Sequence, residues 1–510
     1  MIFSSNSAIL VLLQRRKGPK NNNGELIFGK TIIILDEQKN YLARKWVNIM
    51  SKKYDVIIVG AGPAGIFAAL ELVEKAPHLS ILIVEKGKDI KNRNCPSKQK
   101  NIQCVRCNPC SIVNGWGGAG AFSDGKLTLT TEFGGWLVEY ITRGQVMELI
   151  NYVDKVYLSY GATEIIHGVE SHRIRKIQQK AATADLRLIP AKLKHLGTEK
   201  CWNILKQMRD YLDSKVEIKT YTDVRHLLVE SKKVSGIETI NGEEYFADYV
   251  VVVPGREGAE WFAKEAARLR LDMSINPVDI GVRVEVPSVV MEHLTDVVYE
   301  SKLVYYSKSF DDKVRTFCMN PYGEVVMENN SGLITVNGHS YSDRKTPNTN
   351  FALLVSKTFT EPFKEPISYG KYIAALANML GGGVLVQRLG DLLSGRRSTP
   401  ERIKRGLVEP TLKEATPGDL SLVFPYRHMV SLLEMLEAMD MLAPGVYSHH
   451  TLLYGAEVKF YSSRPALTSN LETQITNLFA AGDGAGVTRG LAQASASGVM
   501  VAREILNRVL

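Results

Sequence analysis

A run of small residues, Gly-Ala-Gly-Pro-Ala-Gly at Gly60–Gly65, constrains the fold more than any other segment of the 510-residue chain. An apolar run at 54–59, typical of a buried strand, precedes it, and a helical pattern at 66–75 follows it. A second apolar run, at 80–84, ends in an acid, Glu85. Strand, glycine turn, helix, strand and acid occur in this order in βαβ units that bind a dinucleotide. The sequence therefore predicts such a unit.

The residues of this turn have separate predicted roles. Gly60 permits the tight turn, Gly62 lets a diphosphate approach the backbone, and Gly65 lets helix and strand pack closely. We expect the N–H groups and the positive dipole end of the following helix to bind the phosphates. Glu85 is placed to accept hydrogen bonds from a ribose. The predicted nucleotide contacts of this unit also include Pro63, Ala64 and Lys86.

The composition is that of an ordinary globular chain, 45% hydrophobic and 23% charged. The 63 basic and 54 acidic residues give a net charge of +9, and this excess is spread along the chain. We therefore expect no stable nucleic-acid partner. No apolar run reaches the ~18 to 20 residues that a membrane helix needs. We expect no membrane partner and a cytoplasmic location.

Four segments differ in pattern. Residues 1–49 contain no chemical motif, and we expect them to be a non-core N-terminal extension. Residues 50–273 contain the first βαβ unit, a cysteine motif and a helical insertion. From 274 to 450, alternating segments with intervening helices predict an α+β cap or substrate domain. Residues 451–510 return to the first domain with a short apolar strand and a final helix. The predicted fold is α/β, a Rossmann-like doubly wound sheet with an inserted cap.

A second glycine turn follows the apolar segment 477–481 and contains Gly482 and Asp483. A strand that ends in Ala-Gly-Asp resembles the second fingerprint of FAD enzymes of the glutathione-reductase superfamily. The resemblance implies that Asp483 binds the ribityl or diphosphate part of FAD, and that the next helix points its N-terminus at the flavin pyrimidine ring. That dipole favours negative charge on the reduced flavin. The residues placed at this helix start are Arg489, Gly490, Leu491 and Ala492.

The stretch from Gly117 to Lys126 looks like the signature of a poorly characterised family of FAD-dependent dehydrogenases. Further stretches that fit this family lie at 195–198, 277–283, 317–323, 337–339 and 488–495. The match covers roughly 54–510. The family is defined by its cofactor and not by a substrate. The resemblance therefore implies the fold and FAD, and it implies the reaction only as a class.

In flavoproteins of this kind, the loop after the first βαβ unit passes close to the isoalloxazine ring. Gly117, Gly118 and Gly120 would let the backbone approach the ring, and Asp124 and Lys126 can then reach its polar edge or a substrate. A cation near flavin N1 or N5 raises the flavin potential. The alternative is a plain glycine turn with both charged side chains on the surface.

The turn at 253–258 follows an apolar strand but lacks the glycine spacing of a complete NAD(P)H fingerprint. It looks more like the turn that touches FAD in the superfamily, and this makes Gly255 a candidate cofactor contact. We therefore expect no built-in NAD(P)H domain. The electron donor is either NAD(P)H that docks at the flavin directly or a redox protein.

Four of the six cysteines lie within 16 residues, at Cys95, Cys104, Cys107 and Cys110. Disulfides are disfavoured in the cytosol. The C-x2-C-x2-C spacing suits an iron–sulfur cluster such as [4Fe-4S], or less often zinc. Thiol redox chemistry and simple reduced cysteines are the remaining alternatives. A cluster here would precede the Gly117 loop and could pass single electrons to FAD.

The candidate catalytic residues are Lys126, Asp124, Cys318 and His195. Cys318 lies between β-type segments and either faces the flavin or is a small buried thiol. His195 is a possible proton donor, because reduction of a double bond or carbonyl needs one. Arg283 lies in a strand pattern and would need a partner if it were buried.

The function that these features predict is FAD-dependent oxidoreduction, in which hydride moves through flavin N5 to or from a small molecule. An alternative within the enzymes is a flavoprotein that modifies tRNA. An alternative outside them is a non-catalytic FAD-binding protein or electron-transfer partner.

Overall fold

The computed structural model describes residues 53–510 except 101–104, 106, 124, 170, 275, 331, 342–343, 360–362, 364 and 460–463. The predicted extension at 1–49 and the candidate residues Cys104 and Asp124 lie outside the described residues.

The described chain alternates strands and helices, and its elements are numbered in chain order. The strands are β1 (Lys53–Val59), β2 (Ile81–Val84), β3 (Lys126–Thr128), β4 (Arg187–Ile189), β5 (Leu193–His195), β6 (Glu217–Lys219), β7 (Val224–Glu230), β8 (Lys233–Thr239), β9 (Glu244–Val252), β10 (Met273–Ser274), β11 (Val278–Pro287), β12 (Lys302–Tyr306), β13 (Lys313–Asn320), β14 (Glu324–Asn330), β15 (Leu333–His339), β16 (Asn348–Lys357), β17 (Leu385–Arg388), β18 (Thr416–Pro417), β19 (Leu452–Lys459), β20 (Arg464–Pro465) and β21 (Leu478–Ala480). The α-helices are α1 (Pro63–Lys75), α2 (Pro96–Lys100), α3 (Arg143–Ser159), α4 (His172–Thr183), α5 (Thr198–Asp213), α6 (Ala259–Arg268), α7 (Ser288–Val298), α8 (Pro366–Gly381), α9 (Leu389–Leu393), α10 (Pro400–Lys404), α11 (Tyr426–Leu442) and α12 (Leu491–Val509).

The first sheet has seven strands and contains the first and the last strand of the described chain. Its order is β6-β2-β1-β9-β8-β7, and β21 pairs with β9. β1 runs parallel to β2 and β9, and β21 runs parallel to the C-terminal half of β9. β2 and the last four residues of β1 are continuous apolar runs because both faces of the sheet are covered there, which is typical of parallel strands. The predicted α/β fold, with the C-terminal segment returning to the first sheet, is confirmed.

The second sheet has eight strands in the order β18-β17-β19-β11-β16-β13-β12-β4. Its central strands β11 and β16 pair antiparallel over ten positions. Helices α7, α8 and α11 cover it and share its apolar core. This is the architecture expected of the inserted α+β cap.

The boundaries of the cap in the structure differ from the predicted ones, 274 and 450. β19 (Leu452–Lys459) pairs with β11 and β17, so the cap sheet continues past the predicted end at 450. β4 (Arg187–Ile189) pairs with β12 and adds an edge strand from within the segment assigned to the first domain. Strand pairing joins residues far apart in the chain, and local patterns therefore could not reveal these two boundaries.

The described residues also form three two-stranded ribbons, one of which pairs β10 antiparallel with β20. β3 pairs antiparallel with β5, and β14 pairs antiparallel with β15. The described residues belong to one compact unit. Among the helices that the structure describes, none is long and apolar enough to cross a membrane.

Candidate functional site

A cleft of about 1640 Å³ lies between the two sheets. Sites for drug-sized ligands measure roughly 300–1,000 Å³, so this cleft has room for a dinucleotide and a second small molecule. Both glycine turns of the first sheet and the wall of the cap sheet line it. The predicted cofactor residues that line it are Gly60, Gly62, Pro63, Ala64, Glu85, Lys86, Gly118, Gly120, Gly255, Gly482, Asp483, Arg489, Gly490 and Leu491.

The first glycine turn leaves no room for side chains on its inner side. Gly60 has φ +112°, and a Cβ there would come within 2.2 Å of the carbonyl oxygen of Val253. A Cβ on Gly65 would come within 2.1 Å of the Gly60 carbonyl oxygen, so helix α1 packs directly on the turn. A Cβ on Gly62, in contrast, would have no atom within 4 Å. The turn is therefore closed on the protein side and open at Gly62.

Helix α1 starts at this open point. Gly62 is its N-cap and supplies no side-chain cap, and Pro63 is its first residue. The first N–H groups of a helix have no partner within the helix, and together with the dipole they form a binding site for anions. The start of α1 therefore suits a diphosphate, as the sequence predicts.

The Glu85 carboxylate is buried at the end of β2. It accepts hydrogen bonds from the backbone N–H of Ala61 at 2.9 Å, Gly87 at 2.8 Å and Gly115 at 3.0 Å. It thus ties the glycine turn to the loop that follows the cysteine segment. A carboxylate has about four lone-pair sites, so one remains for a ribose hydroxyl.

The glycine loop between 115 and 122 lies between the first turn and the last helix. The N–H of Gly117 donates to the Ala61 carbonyl at 2.7 Å. A Cβ on Gly118 would be 3.3 Å from the Gly62 Cα, and one on Gly120 would be 2.9 Å from Leu491 Cδ2. The fold therefore brings together three segments that are far apart in the sequence.

Arg93 stabilises this loop through hydrogen bonds, a role that the sequence did not indicate. Its buried guanidinium donates to the carbonyls of Ser111, Ile112, Trp116 and Gly118. Burial lowers the pKa of Arg93 to about 10, although the nearby Glu85 carboxylate opposes this shift. No local motif marks an arginine whose partners are backbone carbonyls.

The second glycine turn packs on the turn after β9. A Cβ on Gly484 would come within 2.2 Å of the Gly255 carbonyl oxygen. Asp483 lines the cleft and accepts hydrogen bonds from Thr488 Oγ1 at 2.7 Å and Arg256 Nε at 3.2 Å. The two turns thus meet at one end of the cleft.

Helix α12 starts at the cleft with Gly490 as its N-cap. The preceding Arg489 stacks its guanidinium on Trp136, with Cζ 3.6 Å from the ring centroid. Its backbone N–H donates to the Gly134 carbonyl at 2.9 Å. These contacts fix the entry to α12 against the segment that follows the glycine loop.

Lys126 connects the first domain to the cap. Its Nζ donates to the Met319 carbonyl at 2.8 Å and to Asn320 Oδ1 at 3.3 Å, and it lies 3.7 Å from Glu300 Oε2. Burial alone would raise the pKa of Glu300, but Lys302, Lys126 and the backbone N–H of Cys318 lower it to about 2. Lys126 therefore lies on the cleft wall beside an ionised carboxylate.

Cys318 lines the cleft at a position where strand β13 is irregular. Its φ is +45°, and the pairing of β13 with β16 shifts register at this point. Its carbonyl accepts hydrogen bonds from Arg283 Nη1 at 2.8 Å and from Asn320 Nδ2 at 2.9 Å. Arg283 is fully buried and forms a bidentate pair with Glu457 at 2.8 and 2.9 Å, which supplies the partner that the sequence required.

His195 is not among the described residues that line the cleft. It lies on β5, opposite Lys126 of β3. Its ring packs on Tyr299 with centroids 5.2 Å apart, and His167 packs on the same tyrosine at 5.0 Å. This position suits a packed aromatic role rather than proton delivery to a cleft ligand.

The predicted metal site finds no support in the part of the chain that the structure describes. Cys95 and Cys110 line the cleft and Cys107 is partly exposed, but no group of three or more potential ligands occurs among these residues. Cys104 lies outside the described residues. The four-cysteine site therefore stays a prediction, and absence of iron and acid-labile sulfide from anaerobically purified protein would reject its iron–sulfur form.

A sheet with parallel central strands and two glycine turns at one cleft is typical of α/β proteins that bind a dinucleotide. Residues 277–460 match the family model described as "FAD-dependent protein, C-terminal domain-like". This match supports FAD as the dinucleotide. Residues 55–104, which contain the first βαβ unit, match the model "Lycopene cyclase protein". Neither match tests the resemblance to the glutathione-reductase superfamily, which stays a prediction.

An uncharacterized protein of Clostridium beijerinckii (strain ATCC 51743 / NCIMB 8052) is 28% identical over 481 residues, which cover 89% of this chain and 80% of its own length. Solved structures with some likeness include L-proline dehydrogenase from P. horikoshii, at 12% identity and a TM-score of 0.41 over 90% of this chain and 95% of that one. Formate oxidase from Aspergillus oryzae RIB40 has 11% identity and a TM-score of 0.43 over 90% and 99% of the two chains. Such low identities and TM-scores carry no argument about this chain.

Proposed function

We propose that this protein is a FAD-dependent oxidoreductase that exchanges hydride with a small molecule held between a flavin and the cap sheet. One observation carries the proposal. The first glycine turn, the loop around Gly118 and the start of α12 converge on a single cleft whose opposite wall belongs to the cap. The match of residues 277–460 to a FAD-dependent family supports the same cofactor.

The residues present fit FAD. The open position at Gly62 and the start of α1 would hold the diphosphate, and Glu85 keeps one acceptor site for the ribose. The loop at Gly118–Gly120 and the start of α12 would hold the flavin end, where a helix N-terminus favours negative charge. When bound, FAD supplies two-electron hydride chemistry that no amino-acid side chain can provide.

The cap wall has two roles in this proposal. Lys126 Nζ is fixed by the Met319 carbonyl and Asn320, so its positive charge stays at the cleft surface. The cap sheet itself covers the cleft and limits the access of water and oxygen to the reacting atoms.

The electron donor is proposed at the level of class. The turn at Gly255 packs against Gly484 of the second glycine turn, which supports a role in FAD binding rather than in a separate NAD(P)H domain. NAD(P)H would then reach the flavin through the cleft, or a redox protein would supply the electrons.

The full chain, purified and denatured to release its flavin, tests the cofactor. We expect one FAD per chain, or uptake of added FAD at micromolar concentration by the flavin-free protein. Anaerobic bleaching of the flavin absorbance by NADH, NADPH or a panel of metabolites then tests the reaction. A chain that takes up no FAD contradicts the proposal, and so does a FAD-bound chain that passes electrons only to protein acceptors.

A further inference from the structure

Three cationic side chains surround one aromatic ring on the cap wall. Lys302 Nζ lies 4.7 Å from the Phe317 ring centroid, Arg315 Cζ lies 4.9 Å from it and Lys459 Nζ 5.8 Å. Phe317, Lys302 and Arg315 line the cleft. Cations over an aromatic face are attracted by its quadrupole, and the attraction grows when water is excluded.

The carboxylates that pair with these cations are buried. Lys302 pairs with Glu300 at 2.5 Å, Arg315 with Asp279, and Lys459 with Glu457 at 3.0 Å. The three carboxylate side chains are only 7%, 1% and 0% exposed, respectively. Lys302, Arg315 and Glu300 line the cleft, whereas the other two carboxylates, Asp279 and Glu457, do not. Two cations and one carboxylate of these three pairs therefore face the cleft, and the pairs present a net positive charge to a ligand.

Lys302 also lies close to a second aromatic ring. Its Nζ is 5.0 Å from the ring centroid of Phe133, which belongs to the segment after β3. Phe133 lines the cleft like Phe317. Burial lowers the pKa of Lys302, while Glu300 opposes that shift. The two rings give the site an apolar surface in which a charge–charge contact is stronger than in water.

We propose that four residues of the cleft bind the carboxylate and the ring of an aromatic carboxylic acid. These residues, which we name the Phe317 cluster, are Phe133, Lys302, Arg315 and Phe317. The inference rests on the proposed function, because it assigns the substrate class of the flavin cleft. Arg315 and Lys302 supply charge-assisted donors to the carboxylate. The two phenylalanines supply the apolar contact, for which offset or edge-on ring geometry is favourable. A neutral amide of the same shape lacks the charge and loses most of this recognition.

Calorimetric titration of benzoate and benzamide into the full chain tests the cluster. We expect benzoate to bind at least tenfold more tightly than benzamide. Lys302→Met keeps the aliphatic stem but removes the charge, and it should weaken benzoate binding at least tenfold while it leaves benzamide within twofold. Arg315→Gln should also weaken benzoate binding and leave benzamide binding unchanged. This variant tests the cluster if Lys302→Met does not fold. Lys308→Met changes a cap lysine that is 74% exposed and serves as the matched control.

Titration of FAD into the same variants separates this inference from the proposed function. We expect unchanged FAD uptake in Lys302→Met, since Lys302 lies on the cap wall. A chain that binds FAD but binds benzoate and benzamide equally, or not at all, overturns the Phe317 cluster alone. Unchanged benzoate affinity in both charge variants overturns it as well. A chain that prefers benzoate but takes up no FAD supports the cluster and contradicts the proposed function.

Discussion

Gly498 of α12 lies directly against Ala64 of α1, and a Cβ on Gly498 would come within 2.0 Å of the Ala64 carbonyl oxygen. The last helix of the chain therefore packs, backbone to backbone, on the helix that starts at the first glycine turn. This contact positions the N-terminus of α12 relative to that of α1. The geometry of the cleft thus depends on a glycine in the middle of a helix.

Gly498→Ala should destabilise the protein by about 1–3 kcal/mol, because the added methyl group cannot fit and the two helices must separate. Alanine at an unhindered helix position has the opposite effect, up to ~1 kcal/mol of stabilisation. Gly144→Ala in α3, where the nearest atom to a Cβ is 3.9 Å away, is the matched control. Urea unfolding of both variants measures the difference. Equal or higher stability in Gly498→Ala would show that the helices are not tightly packed.

Gly62→Glu should reduce FAD affinity by about a hundredfold or more, because a carboxylate would occupy the point where an anionic diphosphate meets the helix N-terminus. The fold should remain intact, since no atom lies within 4 Å of a Cβ at Gly62. FAD titration followed by flavin fluorescence gives the affinity, and circular dichroism checks the fold. Gly144→Glu makes the same substitution at the start of α3 and should leave FAD binding unchanged. Tight FAD binding by Gly62→Glu would place the diphosphate elsewhere.

Lys126→Met should lower the flavin reduction potential and slow hydride transfer by about 10²-fold, the size of loss seen when one hydrogen-bond donor is removed from an active site. The substitution also removes the hydrogen bonds from Nζ to the Met319 carbonyl and to Asn320. Lys126→Arg keeps the charge and should retain most of the potential. Dye-coupled anaerobic reduction measures the potential, and stopped-flow absorbance measures the rate. If Lys126→Met has the potential of the unaltered protein, the cation does not act on the flavin.

Stability should fall on the acid side partly through Glu300, whose pKa is lowered from 4.5 to about 2 in the folded protein. As the pH falls, the unfolded chain takes up this proton before the folded one does. The contribution is therefore complete above about pH 4.5 and is lost progressively toward about pH 2. We expect the loss to amount to about 1–3 kcal/mol.

Urea midpoints at pH 7, 4.5 and 3 in the unaltered protein and in Glu300→Gln check this prediction. The variant should be less stable at pH 7 and should lose less stability on acidification. Some acid sensitivity will remain, because the pKa of Asp312, which pairs with Arg427 and Lys357, is also lowered to about 2. If both proteins lose the same stability on acidification, the pKa of Glu300 is not lowered in the folded state.

Several features of the candidate site could be predicted from short segments. The glycine spacing at 60–65, the acid at Glu85 and the second turn at Gly482 are all visible over a few residues, because backbone geometry at a turn depends on neighbours in the chain. The apolar runs of β1 and β9 likewise indicate buried strands of a parallel sheet. Residues of this kind have the same role in any chain that folds locally in this way.

Other residues could not be assigned without the folded chain. Arg93 binds carbonyls that only the folded glycine loop brings together, and His195 of β5 does not line the cleft although its chemistry suits proton transfer. The sequence indicates no role for Lys302, because its aromatic neighbours Phe133 and Phe317 come from different parts of the chain. Each of these roles depends on burial and on contacts over long sequence distances.

The amino-acid order alone was enough to establish the α/β class and the two turns that suit a dinucleotide, since turns and strands depend on local geometry and periodicity. Only the packing of the two sheets decided what faces the cleft. It brought Lys126 to β13, buried Asp279 and Glu457 away from the cleft lining, and extended the cap sheet to β19. The charge that a ligand meets depends on which member of each ion pair is buried, and burial is a property of the whole fold.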